Sequence, residues 1–113
     1  MALLLACVLP DRAMAAERES FAAGKNTFLL NGKPFVVKAA EVHYPRIPRP
    51  YWEHRIKMCK ALGMNTLCLY VFWNIHEQKE GVYDFSGQND VAEFCRLAQK
   101  NGMYVIVRPG PYV

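Results

Sequence analysis

The sequence predicts an α/β fold of alternating helices and buried strands, and three features predict it. Two stretches, "MNTLCLYVFW" (64–73) and "MYVIVR" (103–108), are continuous apolar runs, which are typical of strands covered on both faces in a parallel sheet. Each run follows a segment with helical spacing of apolar residues that ends at a glycine, Gly63 or Gly102. The two junctions, "ALGMNTLCLY" and "QKNGMYVIVR", are also alike. Helices and strands that alternate in this way imply βαβ units in a parallel sheet.

The folded part is predicted to begin with a β-hairpin. Asn31-Gly32 separates two apolar runs, and both residues tolerate the positive φ angles of a two-residue hairpin turn. We therefore expect strands over Phe28–Leu30 and Phe35–Ala40, and the second of these is also the first strand of the parallel sheet.

Two amphipathic helices are predicted between the strands. In "RPYWEHRIKMCKALG", Pro50 suits the first turn and Gly63 the C-terminal stop. Asp90 to Lys100 forms the second helix, which Asn101-Gly102 ends. The apolar faces are Trp52, Ile56, Cys59 and Leu62 in the first helix and Val91, Phe94, Leu97 and Ala98 in the second.

Three parallel strands, starting at Phe35, Asn65 and Met103, do not complete a fold. A doubly wound nucleotide-binding sheet usually has a glycine-rich turn after its first strand, and the turn here reads "AAEVHYPRIPRP". A (β/α)8 TIM barrel fits better, but it needs about 250 residues. We therefore predict that residues 21–113 are the N-terminal portion of an incomplete barrel, about three βα units preceded by a hairpin.

The composition is that of an ordinary globular domain. Of 113 residues, 52% are hydrophobic and 21% are charged, and the net charge of +4 is spread without a basic cluster. We therefore expect no nucleic-acid partner. The spacing of the four cysteines, Cys7, Cys59, Cys68 and Cys95, matches no zinc site. The last three fall in helix and strand patterns and are predicted to be small buried residues.

Residues 1–20 read as a signal-peptide-like or leader segment. Their apolar stretch is too short to span a bilayer, and Ala13-Met14-Ala15 fits a cleavage pattern for export. The "LLAC" sequence also resembles a lipoprotein box, in which Cys7 would carry a lipid anchor. We expect export to the periplasm, to the outer membrane as a lipoprotein, or out of the cell. The alternative is an alanine-rich leader with no targeting role.

Polar and aromatic residues cluster after the predicted strands, where the carboxyl ends would surround one crevice. Aromatic rings beside amide and carboxylate groups suit a sugar. The residues are Glu41, His43 and Tyr44 after the first strand, Tyr70, Trp73, Asn74, His76 and Glu77 after the second, and Arg108 and Tyr112 after the third.

Several roles stay open for these residues. Glu41 and Glu77 could be the two carboxylates of a glycosidase, although structural salt bridges or caps are the commoner role for such groups. Arg108 could bind a substrate or organise the strand ends through an ion pair. Trp73 could pack in the core or stack on a sugar. His43 and His76 are interpreted as hydrogen-bonding loop residues, and no metal site is expected.

From Asn31 to Val113 the sequence resembles the opening of glycoside hydrolase family 35, the β-galactosidases. The stretches "HYPRIP", "YVFWNIHE", "GVYDF" and "RPGPY" occur in the order and spacing of that family. The resemblance implies a barrel, retention of configuration, and release of terminal β-linked galactose from a galactoside or glycan, with no metal or other cofactor. Tyr70 matches the tyrosine that hydrogen-bonds the galactose ring.

The same resemblance implies that both catalytic glutamates lie beyond Val113, so no catalytic residue is expected in this chain. The 113 residues alone are therefore predicted to be inactive, as an N-terminal fragment of the enzyme. The alternative is a non-enzymatic remnant that binds sugar or a protein through its aromatic loops. The sequence does not indicate an oligomeric state.

Overall fold

The computed structural model describes residues 19–110, which divide into two compact units at the Phe35–Val36 boundary. The first unit is a three-stranded antiparallel sheet. Its strands are β1 (Phe21–Ala23), β2 (Phe28–Leu30) and β3 (Lys33–Phe35), in the order β1-β2-β3.

The turn between β2 and β3 confirms the hairpin predicted from Asn31-Gly32. Asn31 has φ 51° and Gly32 has φ 74°, the left-handed values that this turn requires. The Asn31 side chain also accepts a 2.8 Å hydrogen bond from the backbone N–H of Ser20. The predicted second strand, Phe35–Ala40, is wrong as a single element, because β3 ends at Phe35.

The second unit contains a parallel sheet of β4 (Ala39–Val42), β5 (Thr66–Val71) and β6 (Tyr104–Pro109), with β5 in the middle. Helix α1 (Trp52–Ala61) connects β4 to β5, and helix α3 (Val91–Lys100) lies between β5 and β6. A four-residue helix, α2 (Trp73–His76), directly follows β5. Short 3-10 turns occupy 44–46, 49–51 and 87–89. The predicted βαβ order is therefore confirmed.

The first parallel strand begins at Ala39, four residues later than predicted, and Asn65 gives the physical reason. Its amide nitrogen donates a 2.8 Å hydrogen bond to the carbonyl of Val36. Its amide oxygen accepts a 2.9 Å bond from the N–H of Lys38. The Asn65 side chain thus bonds the backbone carbonyl of Val36 and the backbone N–H of Lys38, two groups that a neighbouring strand would otherwise pair. Strand pairing therefore begins only after them.

The hydrophobic core lies between one face of the parallel sheet and the two long helices. Side chains from the turn at 44–46, α1, β5 and α3 are fully or almost fully buried there. Each of the large apolar ones contributes roughly 1.5–3 kcal/mol of transfer free energy. The central members are Tyr44, Trp52, Ile56, Leu67, Leu69, Phe94 and Ala98. The indole N–H of Trp52 donates to the carbonyls of Tyr44 and Ile47, at 3.1 and 2.8 Å.

The helix faces follow the predicted spacing with one exception. In α3, the predicted apolar face packs on the core, and Asp90 caps the helix by accepting a 2.8 Å hydrogen bond from the N–H of Glu93. In α1, Trp52 and Ile56 are buried, but Leu62 lies past the helix end and is 75% exposed. The prediction that Leu62 belongs to the buried face is therefore wrong.

Strand β6 also differs from its prediction as a strand buried on both faces. In the described part of the chain it is an edge strand with β5 as its neighbour, and Ile106 and Val107 are 42% and 49% exposed. Burial on both faces depends on neighbouring elements as well as on apolar composition. By contrast, Leu67, Leu69 and Val71 of the central strand β5 are buried, as predicted.

Gln88 connects two turns that lie far apart in sequence. Its amide nitrogen donates to the carbonyls of Tyr44, Pro45 and Ile47. Its amide oxygen accepts a 3.0 Å hydrogen bond from the N–H of Arg49. The 3-10 turn at 87–89 is thereby held against the loop that follows β4.

The cysteines of the described chain are free and half-buried: Cys59, Cys68 and Cys95. Cys59 and Cys95 pack against the core, where burial raises the pKa of the Cys95 thiol. Cys7 lies outside the described residues. Within 19–110, no helix is long and apolar enough to cross a bilayer.

Candidate functional site

The carboxyl ends of β4, β5 and β6 meet at one edge of the parallel sheet. The register places Glu41 beside Cys68 and Tyr70 beside Arg108. Because register partners and alternate residues of a strand share a face, these four side chains lie on the same face. That face is opposite the one on which Leu67 and Leu69 pack against the core. The sheet therefore separates a polar surface from the packed helices.

Glu41 is the centre of a charged network on this face. One carboxylate oxygen accepts a 3.0 Å hydrogen bond from Nη1 of Arg108, and the other accepts a 2.8 Å bond from Nε2 of His43. The hydrogen bond from His43 lowers the pKa of Glu41, and the positive charge of Arg108 lowers it further. Of the two roles left open for Arg108, the structure shows the ion pair that organises strand ends.

Tyr70 has a buried hydroxyl group with no hydrogen-bond partner among residues 19–110. The centre of its ring lies 4.9 Å from that of Phe72 and 5.5 Å from the guanidinium carbon of Arg108. Gly110 leaves room for the phenol, since a Cβ atom there would lie only 2.7 Å from the hydroxyl oxygen. Nothing in the local sequence pattern around Gly110 indicated this close approach.

Glu77 organises the loop that follows β5. Its carboxylate accepts a 2.7 Å hydrogen bond from the N–H of Gly81 and another from the indole N–H of Trp73. The backbone hydrogen bond from Gly81 is the main reason that its pKa is lowered. Trp73 is 43% exposed, with its ring edge-on to that of Tyr83 at 5.7 Å, so it does not pack in the core.

Neither of these carboxyl groups has the character of a general acid. An acid that works near neutral pH needs a raised pKa, whereas Glu41 and Glu77 both have lowered values. Both also accept hydrogen bonds from neighbouring groups of the fold. Of the two interpretations left open by the sequence, the structure favours salt bridges and loop capping over a catalytic pair.

Two predicted site residues lie in the core instead. Tyr44 is completely buried and His76 is 1% exposed. The Tyr44 hydroxyl hydrogen-bonds Nε2 of His76, and Nδ1 of His76 donates a 2.8 Å bond to the carbonyl of Asp84. The prediction that Tyr44 and His76 line the crevice is therefore wrong. The hydrogen-bonding role predicted for His76 is confirmed.

The other predicted site residues have simpler outcomes. Asn74 is exposed on α2. Tyr112 lies outside the described residues. In the stretch from 19 to 110, no group of three or more His, Cys, Asp or Glu side chains is arranged to hold a metal ion.

The sequence was compared with known families and proteins. The model of "Glycosyl hydrolases family 35" matches residues 27–113. The chain belongs to glycosyl hydrolases family 35. This membership confirms the resemblance read from the "HYPRIP", "YVFWNIHE" and "RPGPY" stretches.

Several members of the family align with the chain. A "Beta-galactosidase" of Xanthomonas manihotis is 44% identical over 113 residues, covering 99% of this chain and 19% of that protein. A "Beta-galactosidase" of Mus musculus is 47% identical over 89 residues, covering 79% of this chain and 14% of that protein. The human "Beta-galactosidase-1-like protein 3" is 42% identical over 105 residues, covering 93% of this chain and 16% of that protein. The chain thus spans less than a fifth of the length of these relatives.

Proposed function

We propose that this chain is the N-terminal part of the catalytic domain of a retaining, exo-acting β-galactosidase that releases terminal β-linked galactose from glycans. The observation that carries the proposal is the family match over residues 27–113, together with 44% identity to a named β-galactosidase over almost the whole chain. The position of Tyr70 at the carboxyl end of β5 supports it, because enzymes with parallel strands bind substrates at that end.

The parallel sheet is proposed to supply the first three strands of a (β/α)8 barrel, within a catalytic portion that covers residues 21–113. Strands β4, β5 and β6 are neighbours in chain order, as successive barrel strands are. Helices α1 and α3 pack on one face, and the polar side chains occupy the other. The second face would then line the barrel interior and its mouth.

Tyr70 is proposed to bind the galactose. A buried hydroxyl group without a partner costs about 1–3 kcal/mol. The Tyr70 hydroxyl is such a group within residues 19–110, so a substrate hydroxyl would satisfy it. Arg108 on the same face already donates to Glu41, whereas the buried Tyr70 hydroxyl has no partner among the residues that the structure describes.

The two catalytic carboxyl groups are proposed to lie outside these 113 residues. A retaining glycosidase needs a pair about 5 to 5.5 Å apart: one protonates the departing glycosidic oxygen, and the other attacks the anomeric carbon. Water then releases the sugar while the first group takes its proton. Glu41 and Glu77 are already engaged in ion pairs and loop contacts, so we expect the 113-residue chain alone to be inactive.

Residues 1–20 are proposed to act as an export leader, with Cys7 as a candidate for lipid attachment. The apolar stretch before Ala13-Met14-Ala15 supports this proposal. Sequencing the amino terminus of the mature protein tests it. A new terminus near Ala15 or at a lipid-modified Cys7 supports export, and an intact Met1 contradicts it.

The test of the function uses the full-length protein that contains this chain. We expect hydrolysis of p-nitrophenyl β-galactoside with β-galactose as the first-formed anomer, and little activity on the α-galactoside. Tyr70→Phe should lower kcat/KM about 10- to 100-fold, because one directed hydrogen bond to the sugar is lost. The matched control is Tyr51→Phe, which changes an exposed phenol.

A full-length protein that cleaves no β-galactoside would contradict the proposal. Binding of galactose without hydrolysis would support the non-enzymatic alternative instead. If hydrolysis occurs and Tyr70→Phe matches Tyr51→Phe, Tyr70 does not contact the sugar.

A further inference from the structure

We propose that the Glu41–Arg108 ion pair positions the phenol of Tyr70 for galactoside binding. The proposal rests on the function proposed above and adds two positioning residues to it. Neither Glu41 nor Arg108 needs to touch the substrate, because both act through the ring of Tyr70.

The ion pair joins the two outer strands of the parallel sheet. Glu41 is on β4 and Arg108 is on β6, with β5 between them. Neighbouring strands are about 4.8 Å apart, so the outer strands are roughly 10 Å apart and only long side chains can meet across the middle one. The 3.0 Å contact between Nη1 of Arg108 and the Glu41 carboxylate therefore crosses the face of β5 that carries Tyr70.

Two chains of contacts lead from Glu41 to the ring of Tyr70. In the first, the guanidinium carbon of Arg108 lies 5.5 Å from the centre of the Tyr70 ring, within the range of a cation–π contact. In the second, His43 is held by Glu41 and lies edge-on to Phe72, with ring centres 5.0 Å apart. Phe72 in turn packs against Tyr70 at 4.9 Å. Removing the charge of the Glu41 carboxylate would therefore weaken the hold on both Arg108 and His43, the two residues through which Glu41 reaches the Tyr70 ring.

The exposure of the pair indicates a role in geometry more than in stability. The Arg108 and Glu41 side chains are 51% and 47% exposed, and ion pairs at that exposure add little to folding stability. A planar guanidinium group held by a carboxylate is, however, a well-defined surface for an aromatic ring. Gly110 lies close to the hydroxyl end of Tyr70, and a tilt of the phenol about the Cα–Cβ bond would move that hydroxyl group.

A double-mutant cycle in the full-length protein tests the proposal. Glu41→Gln keeps the size of the side chain and removes its charge. We expect it to lower kcat/KM about tenfold, with less than a twofold further loss when it is added to Tyr70→Phe, because the group it positions is then absent. The thermal midpoint should change little. Arg108→Gln should repeat this pattern.

The matched control is Glu53→Gln. Glu53 also pairs with two cations, Lys57 and Lys100, but it lies on α1, away from the polar face of the sheet. It should leave kcat/KM unchanged in both backgrounds. Losses from Glu41→Gln and Tyr70→Phe that simply multiply would overturn the positioning role, as would a kcat/KM equal to that of the parent. Hydrolysis by the parent protein reports separately on the proposed function.

Discussion

The hydroxyl group of Tyr44 donates a hydrogen bond to Nε2 of His76, 32 positions along the chain, and both side chains are buried. Because Nδ1 of His76 donates to the carbonyl of Asp84, the neutral ring has one N–H and one free lone pair, which Tyr44 occupies. The contact joins the turn after β4 to helix α2, which follows β5, and it is made inside the core.

Replacing Tyr44 by phenylalanine should destabilise the protein by about 1–3 kcal/mol, since it leaves the Nε2 lone pair of His76 buried without a partner. Urea unfolding of the full-length protein would measure the change. Tyr51→Phe, at an exposed position, is the control and should change the free energy of unfolding by less than about 0.5 kcal/mol. Equal stabilities for the two variants would contradict the prediction.

Alkaline pH should weaken the fold through Tyr44. Burial raises the pKa of its hydroxyl from 10.0 to about 12. Between these pH values the unfolded chain releases the proton while the folded chain keeps it, so the free energy of unfolding falls as pH rises. The measurement is urea unfolding at about pH 9, below this window, and at about pH 10.5 and 11.5, within it, where most of the fall should occur. In Tyr44→Phe the free energy of unfolding should fall less over the same pH range. An equal fall in the variant and the parent protein would show that Tyr44 is not the cause.

Gln88→Ala should cost about 1–3 kcal/mol of folding free energy, because it removes the donor shared by the Tyr44, Pro45 and Ile47 carbonyls. The same substitution at the exposed Gln99 of α3 is the control. Chemical denaturation compares the two. A Gln88→Ala protein as stable as Gln99→Ala would mean that water replaces the amide without loss.

Gly110→Ala should lower the proposed β-galactosidase activity without a comparable loss of stability. The added methyl group would lie 2.7 Å from the Tyr70 hydroxyl oxygen, so the phenol must move. We expect kcat/KM of the full-length enzyme to fall about tenfold or more. In a Tyr70→Phe background the further loss should be smaller, because the nearest clashing atom is gone. If Gly110→Ala lowers kcat/KM as much in the Tyr70→Phe background as in the parent, its effect does not act through the Tyr70 hydroxyl group.

Glu77→Gln should retain most of the activity, since Glu77 accepts loop hydrogen bonds on its two oxygens and an amide oxygen can still accept one of them. We expect kcat within about tenfold of the parent value. Removing a catalytic carboxylate would instead cost several orders of magnitude, so a loss of that size would restore Glu77 to the catalytic pair. Steady-state kinetics with p-nitrophenyl β-galactoside distinguishes these outcomes.

Local sequence signals were sufficient for the turn, the helices and the parallel strands. Asn31-Gly32 specifies its hairpin through positive φ, and Asn101-Gly102 ends α3, because both signals depend on neighbouring residues only. The start of β4 was not predictable in this way, since the side chain of Asn65, 27 positions from Lys38, bonds the backbone before it.

The residues of the candidate site were likewise predictable only in part from the local sequence. Polar residues after a strand can face the crevice or turn back into the core, and the sequence does not distinguish them. Glu41, Tyr70 and Arg108 share the polar face, as their strand-end positions indicated, whereas Tyr44 and His76 pair inside. The close approach of Gly110 to Tyr70 depends on the register of two strands separated by a helix.

The two tryptophans of this chain stand in opposite surroundings, and this gives separate optical probes of its two regions. Trp52 is fully enclosed beside Tyr44 and Phe94, whereas Trp73, at the start of α2, is 43% exposed to solvent. In a variant that retains one tryptophan, acrylamide should therefore quench the emission of Trp73 readily and that of Trp52 only after the core opens. The onset of Trp52 quenching would therefore report unfolding of the core separately from any movement of the segment that carries Trp73.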